Sequence, residues 1–308
     1  MFALLLIIAP LDLPADGWIA FEAPAVAGTT RMGCRDDENT MSLDERDDHW
    51  NIGHDEDNSG TFERFTVYIE MTNGEPDEVR AVTPDCTVTN AGRAMRMEID
   101  AAAAVDLFAK FLGESRTQRV ESQLIGALAH VAHESADRVL TDLAEDVIDE
   151  ERSDDAIFWL AQRRGDYGRE VVSAHLDSRW PLDHREHAVM SLALSEHPEA
   201  FVIVRNVARE AEPADLRAQA VIALGITDAP GALADLHSIF LVDESREVRE
   251  NAIFAMSQLD NPAVAQTLAD IIREPRNGEL RRSALFWLAQ LAGKNSDEVV
   301  DDLMRDVL

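Results

Sequence analysis

The sequence predicts a mainly α-helical protein, an α-solenoid of about six helical hairpins that follows a small N-terminal β-rich domain. Three observations support this fold class: an apolar motif recurs every 32 residues without a gap, each period carries two amphipathic stripes, and the pattern changes before residue 100. Because a single hairpin cannot bury its own apolar face, neighbouring copies must stack to form a continuous core. The first position of the motif is occupied by Leu124, Ala156, Ala188, Ala220, Ala252 and Ala284.

Each period predicts two helices joined by a short turn. In the first half, Ile253 and Met256 follow Ala252 at one and four positions, and in the second half Leu268 and Ile271 follow it at sixteen and nineteen positions. This spacing places the apolar residues on one face of a helix. An acidic residue five positions before the motif suits the positive end of the first helix. The turns between the two halves contain Gly165, Pro198, Pro230, Pro262 and Gly293.

The pattern Val248-Arg249-x-x-Ala252-Ile253-x-x-Met256 returns as Leu216-Arg217-x-x-Ala220-Val221-x-x-Leu224. It resembles the short HEAT-like repeats first associated with phycobilisome lyases, and the resemblance covers residues 115–308. It implies a protein-binding scaffold in which the second helix of each hairpin lines the concave face. A minority of the family are lyases, but no bilin-binding motif matches here.

The N-terminal segment 1–15 is predicted to be a signal peptide. A run of about nine apolar residues ends before Pro10, and small residues precede a cleavage point near Ala15. No Lys or Arg appears before Arg31, however, so a buried N-terminal strand in a cytoplasmic protein remains the alternative. The apolar run is shorter than the ~20 residues that a membrane span needs. We therefore expect a periplasmic or extracellular protein without a stable membrane span.

Residues 16–100 are predicted to form the β-rich domain, and residues 101–308 the solenoid. Alternation in residues 65–71, followed by Asn73-Gly74, is typical of a hairpin. Cys34 and Cys86 are the two cysteines of the chain. In an exported protein we expect them to form a disulfide, whereas in a cytoplasmic protein they would be buried thiols.

An acidic loop is predicted at residues 35–63. Within it, Asp55-x-Asp57-x-Ser59-Gly60 has the first half of a calcium-binding pattern. The last ligand position holds Thr66 instead of Glu, and the sequence leaves calcium binding open.

The sequence predicts no catalytic residue, no metal site and no cofactor. Some HEAT-like proteins are enzymes that hold two iron ions through paired His-Glu dipeptides, but His133-Glu134 is the one such dipeptide here. A pair such as His184 and His187 lacks the third and fourth ligands of a zinc or iron centre. An enzyme or lyase-like accessory factor with a metal or cofactor site in the solenoid groove remains the alternative function.

The net charge of −31 restricts the partners. With 59 acidic residues against 28 Lys and Arg, the chain lacks the cations that replace phosphate counterions, so nucleic acid is not expected as a partner. An anionic membrane surface is disfavoured for the same reason, and a basic protein is favoured.

The predicted function is a non-enzymatic protein-interaction scaffold that binds its partner on the concave solenoid face. Second-helix positions that are charged in other repeats are apolar in the middle of the array. An apolar patch ringed by charge is the composition of a binding hot spot. The alternative is that its larger side chains pack between repeats. The candidate binding residues are Phe201, Val202, Arg205, Leu233 and His237.

Overall fold

The computed structural model describes residues 12–34, 40–44, 60–115, 117–195, 197–227, 229–274, 278 and 280–292. Most of the predicted signal peptide, most of the acidic loop with Asp55, and the predicted last helix lie outside these residues. The protein divides into two compact units, residues 1–159 and 160–308, and each is described by itself. The predicted domain boundary at residue 100 stays a prediction.

The first unit contains a four-stranded sheet with the order β4-β3-β1-β6 and a two-stranded sheet of β2 and β5. The strands are β1 Gly17–Pro24, β2 Thr40–Ser42, β3 Arg64–Thr72, β4 Glu75–Val82, β5 Thr87–Thr89 and β6 Met95–Arg96. Strand β3 is antiparallel to both β1 and β4, whereas β6 joins β1 in parallel. The predicted hairpin turn is present between β3 and β4, where Asn73 and Gly74 both have positive φ.

Both faces of the four-stranded sheet are covered. Side chains alternate along a strand, so Ile19 and Phe21 of β1 share one face while Trp18 and Ala20 share the other. The Phe21 ring meets Phe108 of a following helix at 5.8 Å. On the opposite face, Trp18 and Ala20 belong to a cluster that includes Cys34, Met41 and Cys86. The sheet is therefore the middle layer of the first unit.

The two cysteines lie at disulfide distance, with their Cα atoms 5.7 Å apart. Near them, the sheet buries an ion pair: Arg80 donates to Glu78 at 2.7 Å, and the Arg80 guanidinium lies 5.4 Å from the centre of the Trp18 ring. Arg80 also donates to the carbonyl oxygen of Ser42. These contacts attach β2 to the sheet.

The first unit also contains α1 Ala101–Glu114, α2 Gln118–Ala129 and α3 Glu134–Ala144, and α4 Glu150–Arg163 begins in it. Asp100 caps α1 by accepting a hydrogen bond from the Ala103 amide at 2.8 Å. Gln123 of α2 accepts from the Val79 amide of β4 at 3.0 Å. The sheet and the first helices thus share one core.

The second unit contains the successive helices of the repeats. They are α5 Gly165–Ala174, α6 Leu182–Ala193, α7 Ala200–Glu210, α8 Ala214–Ile226, α9 Ala232–Val242, α10 Arg246–Gln258, α11 Val264–Arg273 and α12 Arg281–Ala292. The period predicts their core, since Ala188, Ala220, Ala252 and Ala284 are all fully buried. The acidic residues Asp183, Asp215 and Glu247 lie in the first turns of α6, α8 and α10. The pairs α6–α7, α8–α9 and α10–α11 are the expected hairpins.

An arginine that stands three positions before Ala188, Ala220, Ala252 and Ala284 joins neighbouring repeats. Arg185 donates to the carbonyls of Leu176 and Glu212, at 3.0 and 2.9 Å. Arg249 likewise donates to the Phe240 carbonyl at 3.0 Å. These carbonyls lie at or just beyond the C-terminal ends of the second helices, where cations are favoured and carbonyls lack helical partners. The recurring arginine therefore fixes the spacing of the repeats.

Close packing between first helices depends on a small residue. A Cβ atom placed on Gly225 of α8 would lie 2.8 Å from both Cα and Cβ of Ala255 in α10. Within the described part of the chain, no helix is long and apolar enough to cross a membrane.

Candidate functional site

The five predicted binding residues lie on two adjacent second helices. Phe201, Val202 and Arg205 belong to α7, and Leu233 and His237 to α9. Val202 is 42% exposed, whereas the other four side chains are half-buried. The structure therefore brings the predicted residues onto one surface but leaves Val202 as its exposed apolar member.

The charges on this surface are paired with each other. Arg209 of α7 donates to Asp235 of α9, and an Arg205 guanidinium nitrogen lies 3.9 Å from the same carboxylate. The Arg205 guanidinium also lies 5.9 Å from the centre of the Phe201 ring, within the range of a cation–π contact. The cluster links α7 to α9, and it holds Arg205 over Phe201.

The other two predicted residues contribute less exposed surface. The His237 ring lies parallel to the Phe240 ring of the same helix, with centroids 6.4 Å apart. Leu233 is half-buried on the first turn of α9. Phe201 and Leu233 are both half-buried, and their use as a hot spot or as packing residues stays a prediction.

The exposed strip of α9 was missed by the sequence analysis. It lies along Ala234, Ser238, Leu241 and Val242, and it contains no charged residue. Leu241 is 62% exposed and Val242 is 75% exposed. The equivalent residues are Val202, Asn206, Arg209 and Glu210 on α7, and Gln266, Asp270 and Arg273 on α11 with Glu274 directly after it. Comparison of the aligned repeats, position by position, is the signal that finds the strip.

The histidines that were considered as metal ligands are held in separate places. His133 accepts a hydrogen bond from the Ser135 amide at the start of α3, and Glu134 pairs with Arg138. His184 of α6 contacts the rings of both His175, at 5.0 Å, and Trp180, at 4.8 Å, and these two rings also stack on each other at 4.5 Å. Among the described residues, no group of three or more His, Cys, Asp or Glu side chains is placed to hold a metal ion.

Burial has a marked effect on His184. Loss of hydration lowers the pKa of its imidazole to about 4, and the nearby His175 and His187 lower the pKa in the same direction. His184 is therefore neutral in the folded protein at neutral pH, and a neutral imidazole is compatible with its burial.

The first unit has a separate cavity of about 560 Å³. It is lined by Gly17, Trp18, Leu43, Asp44, Glu70, Asp77, Glu78 and Arg93. Arg93 and Asn90 contact the Asp44 carboxylate, and Arg80 pairs with Glu78. The lining is thus acidic with one aromatic wall, but two of its carboxylates are already engaged by neighbouring side chains.

Comparison with known proteins identifies the repeats. Residues 202–289 match the family model described as HEAT repeats. Solved structures that resemble the chain include human deoxyhypusine hydroxylase in complex with glycerol, with a TM-score of 0.34 and 19% identity over 61% of this chain and 75% of that one. A similarity at this level supports no argument about activity. No curated protein sequence matches the chain. The helical hairpins within residues 202–289 therefore match HEAT repeats.

Proposed function

We propose that this protein is a non-enzymatic scaffold that is exported and binds another protein on the surface formed by α7 and α9. The supporting observation is that the exposed residues in the first half of each helix are uncharged: they are Val202 and Asn206 on α7 and Ala234 and Ser238 on α9. The two uncharged strips lie on adjacent second helices of a chain in which 28% of residues are charged.

The arrangement of this surface suits a protein interface. Interface centres are depleted in charged residues, while their rims are polar. Here the uncharged strips lie beside Arg205, Arg209 and Asp235, whose charges offset one another across the two helices. The net charge of −31 favours a partner with basic residues near the contact.

Export is supported by the cysteine pair. Cys34 and Cys86 lie at disulfide distance in the first unit, and disulfides persist mainly in oxidising compartments. The mass of the mature protein from its native cells tests this proposal. We expect a chain that begins near residue 16 and carries no free thiol; an intact Met1 with two free thiols would instead indicate the cytoplasmic alternative.

The binding proposal is tested by retention of partners from a native extract on the immobilised full chain, followed by identification of the retained proteins. Val202→Asp places a carboxylate in the expected contact, and we expect at least about tenfold less of the main retained protein, as for a hot-spot residue. Far-UV circular dichroism checks that the helical content is unchanged.

Ile226→Asp is the matched control. Ile226 ends α8, a first helix, and its exposed fraction of 44% is close to that of Val202. It should leave retention unchanged. Equal retention by wild type and Val202→Asp, or an equal loss in both variants, would remove the α7–α9 surface from consideration.

A further inference from the structure

The C-terminal end of α9 exposes two apolar residues that the fold does not require. Leu241 and Val242 are the last two residues of the helix and are more than half exposed. The equivalent positions hold Arg209-Glu210 at the end of α7 and Arg273-Glu274 at the end of α11. Arginine at these positions also suits the negative end of the helix dipole. Helix stability and solubility therefore favour polar residues here, and another property must account for Leu-Val.

Acidic side chains surround this apolar tip. Residues 243–250 contain four carboxylates and two guanidinium groups. Arg217 brings a further acid to the same edge, because it donates to Asp243 at 2.8 Å while another of its nitrogens lies 3.4 Å from Glu212. The Glu212 side chain is 84% exposed. Glu244 and Glu247 are exposed as well.

The arginines at this edge are already engaged. Arg217 is held by Asp243 and Glu212, and Arg249 donates to the Phe240 carbonyl and covers the Phe240 ring at 5.1 Å. Arg246 lies 3.9 Å from Glu250. The potential that an approaching protein meets is thus negative around an apolar centre, which is complementary to a segment that carries apolar side chains between lysines or arginines.

We propose that Leu241 and Val242 are the anchor of a docking site for a protein segment with an apolar pair flanked by basic residues, and that Glu212, Glu244 and Glu247 form the acidic rim of this site. The proposal rests on the scaffold function and names the chemistry of its partner. A second copy of this chain is a poor occupant, because two acidic rims would meet and each chain carries a charge of −31.

The test uses a random linear peptide library displayed on phage, selected on the full chain and in parallel on the double variant Leu241→Arg/Val242→Glu. This variant introduces the Arg-Glu pair that is found at the equivalent positions 209–210 and 273–274, so we expect the fold to be kept. It adds one positive and one negative charge, so the net charge is unchanged. We expect wild type to enrich peptides with an apolar pair flanked by Lys or Arg. Synthetic peptides from that pool should bind the variant at least about tenfold more weakly.

Two further variants separate the contributions. Glu212→Gln/Glu244→Gln/Glu247→Gln should weaken the same peptides and reduce the dependence of their affinity on salt. Leu194→Gln/Ile226→Gln is the matched control: it removes two exposed apolar residues from other helix ends and introduces the residue found at Gln162 and Gln258. Its affinity for the peptides should remain that of wild type.

The outcomes are distinguishable from those of the Val202 experiment. The proposed docking site would be overturned if wild type and Leu241→Arg/Val242→Glu selected identical peptide pools, or if the enriched peptides carried no net positive charge. Neither result would bear on the α7–α9 surface, which the Val202→Asp experiment tests separately. A wild-type dimer in sedimentation that the double variant dissociates would assign the tip to a second copy and would also overturn the proposal.

Discussion

The two compact units hold their cores together over different distances along the chain. In the first unit, β2 pairs with β5 across more than forty residues, and Cys34 lies beside Cys86 across a separation of 52. In the second unit, contacts reach about one period: Arg185 donates to a carbonyl nine residues earlier, and Asn251 of α10 donates to Ala218 of α8 at 3.4 Å. The first unit therefore depends on contacts between distant parts of the chain, whereas the second unit depends on contacts that recur between neighbouring repeats.

This difference determines where each unit can vary without unfolding. The three longer strands of the central sheet in the first unit, β1, β3 and β4, bury most of their side chains, so these residues serve the core. In the second unit, each second helix has an outer strip that makes no repeated contact, and α9 uses that freedom to expose Leu241 and Val242. Positions that break the repeat on an exposed strip are thus the best indicators of function in such a chain.

The largest expected effect comes from removal of the long-range link. Cys34→Ser/Cys86→Ser should lower the free energy of unfolding of the first unit by about 4 kcal/mol, because the unfolded chain regains the entropy that the closed loop removes. Hydrogen exchange in increasing urea, resolved by peptide, measures the two units separately.

The second unit is the internal control for this variant. Its peptides should exchange at the same urea concentration as in wild type. An equal loss of stability in both units would show that they unfold together. This result would contradict the view that each unit is stabilised by its own contacts.

A change in pH should act on the second unit instead. The pKa of His184 is about 4 in the folded protein, below its ordinary value of 6.5. As the pH falls from 6.5 to 4, the unfolded chain binds a proton at His184 that the folded chain does not bind, so the free energy of unfolding decreases. This decrease reaches its full size below pH 4. The loss from this residue is at most about 3 kcal/mol.

His184→Phe isolates this contribution, because it keeps an aromatic ring in contact with His175 and Trp180 but cannot titrate. The second unit of the variant should lose about 3 kcal/mol less than wild type between pH 7 and pH 4, measured by the same exchange experiment. Parallel curves for the two proteins would contradict the assignment. The first unit should follow the same curve in both.

Much of the fold follows from the sequence because its information is periodic. Alignment at 32 residues predicts the first helices and the buried alanines, and the Asn73-Gly74 turn is a local signal. The parallel pairing of β1 with β6 and the buried ion pair of Glu78 and Arg80 have no local signal, since the partner strand is chosen by tertiary packing.

The candidate surface is harder to predict from the sequence than the fold. Apolar character at Phe201 and Leu233 indicates either a binding patch or packing, and a single sequence does not separate these uses. The structure shows both side chains half-buried, and it places the largest apolar exposure of α9 at Val242. Whether a helical side chain is covered depends on the angle at which the next repeat packs. The 32-residue spacing of the motif does not determine this angle.

The smallest expected effect compares a glycine in each unit. Gly225→Ala introduces a methyl group 2.8 Å from backbone and side-chain atoms of Ala255, so α8 and α10 must move apart. Overpacking of this kind costs about 1–3 kcal/mol, and the better helix propensity of alanine offsets up to about 1 kcal/mol of it. The second unit should therefore lose about 1–2 kcal/mol.

Gly113→Ala is the matched change in the first unit. Gly113 lies in α1, and a Cβ atom there would have nothing within 4 Å. With no neighbour to displace, the helix propensity should act alone and stabilise the first unit by up to about 1 kcal/mol. Urea denaturation followed by peptide-resolved exchange should give opposite signs for the two variants. If Gly225→Ala were also stabilising, the first helices would not be packed at the limit that the repeat requires, and the spacing would rest on the recurring arginines alone.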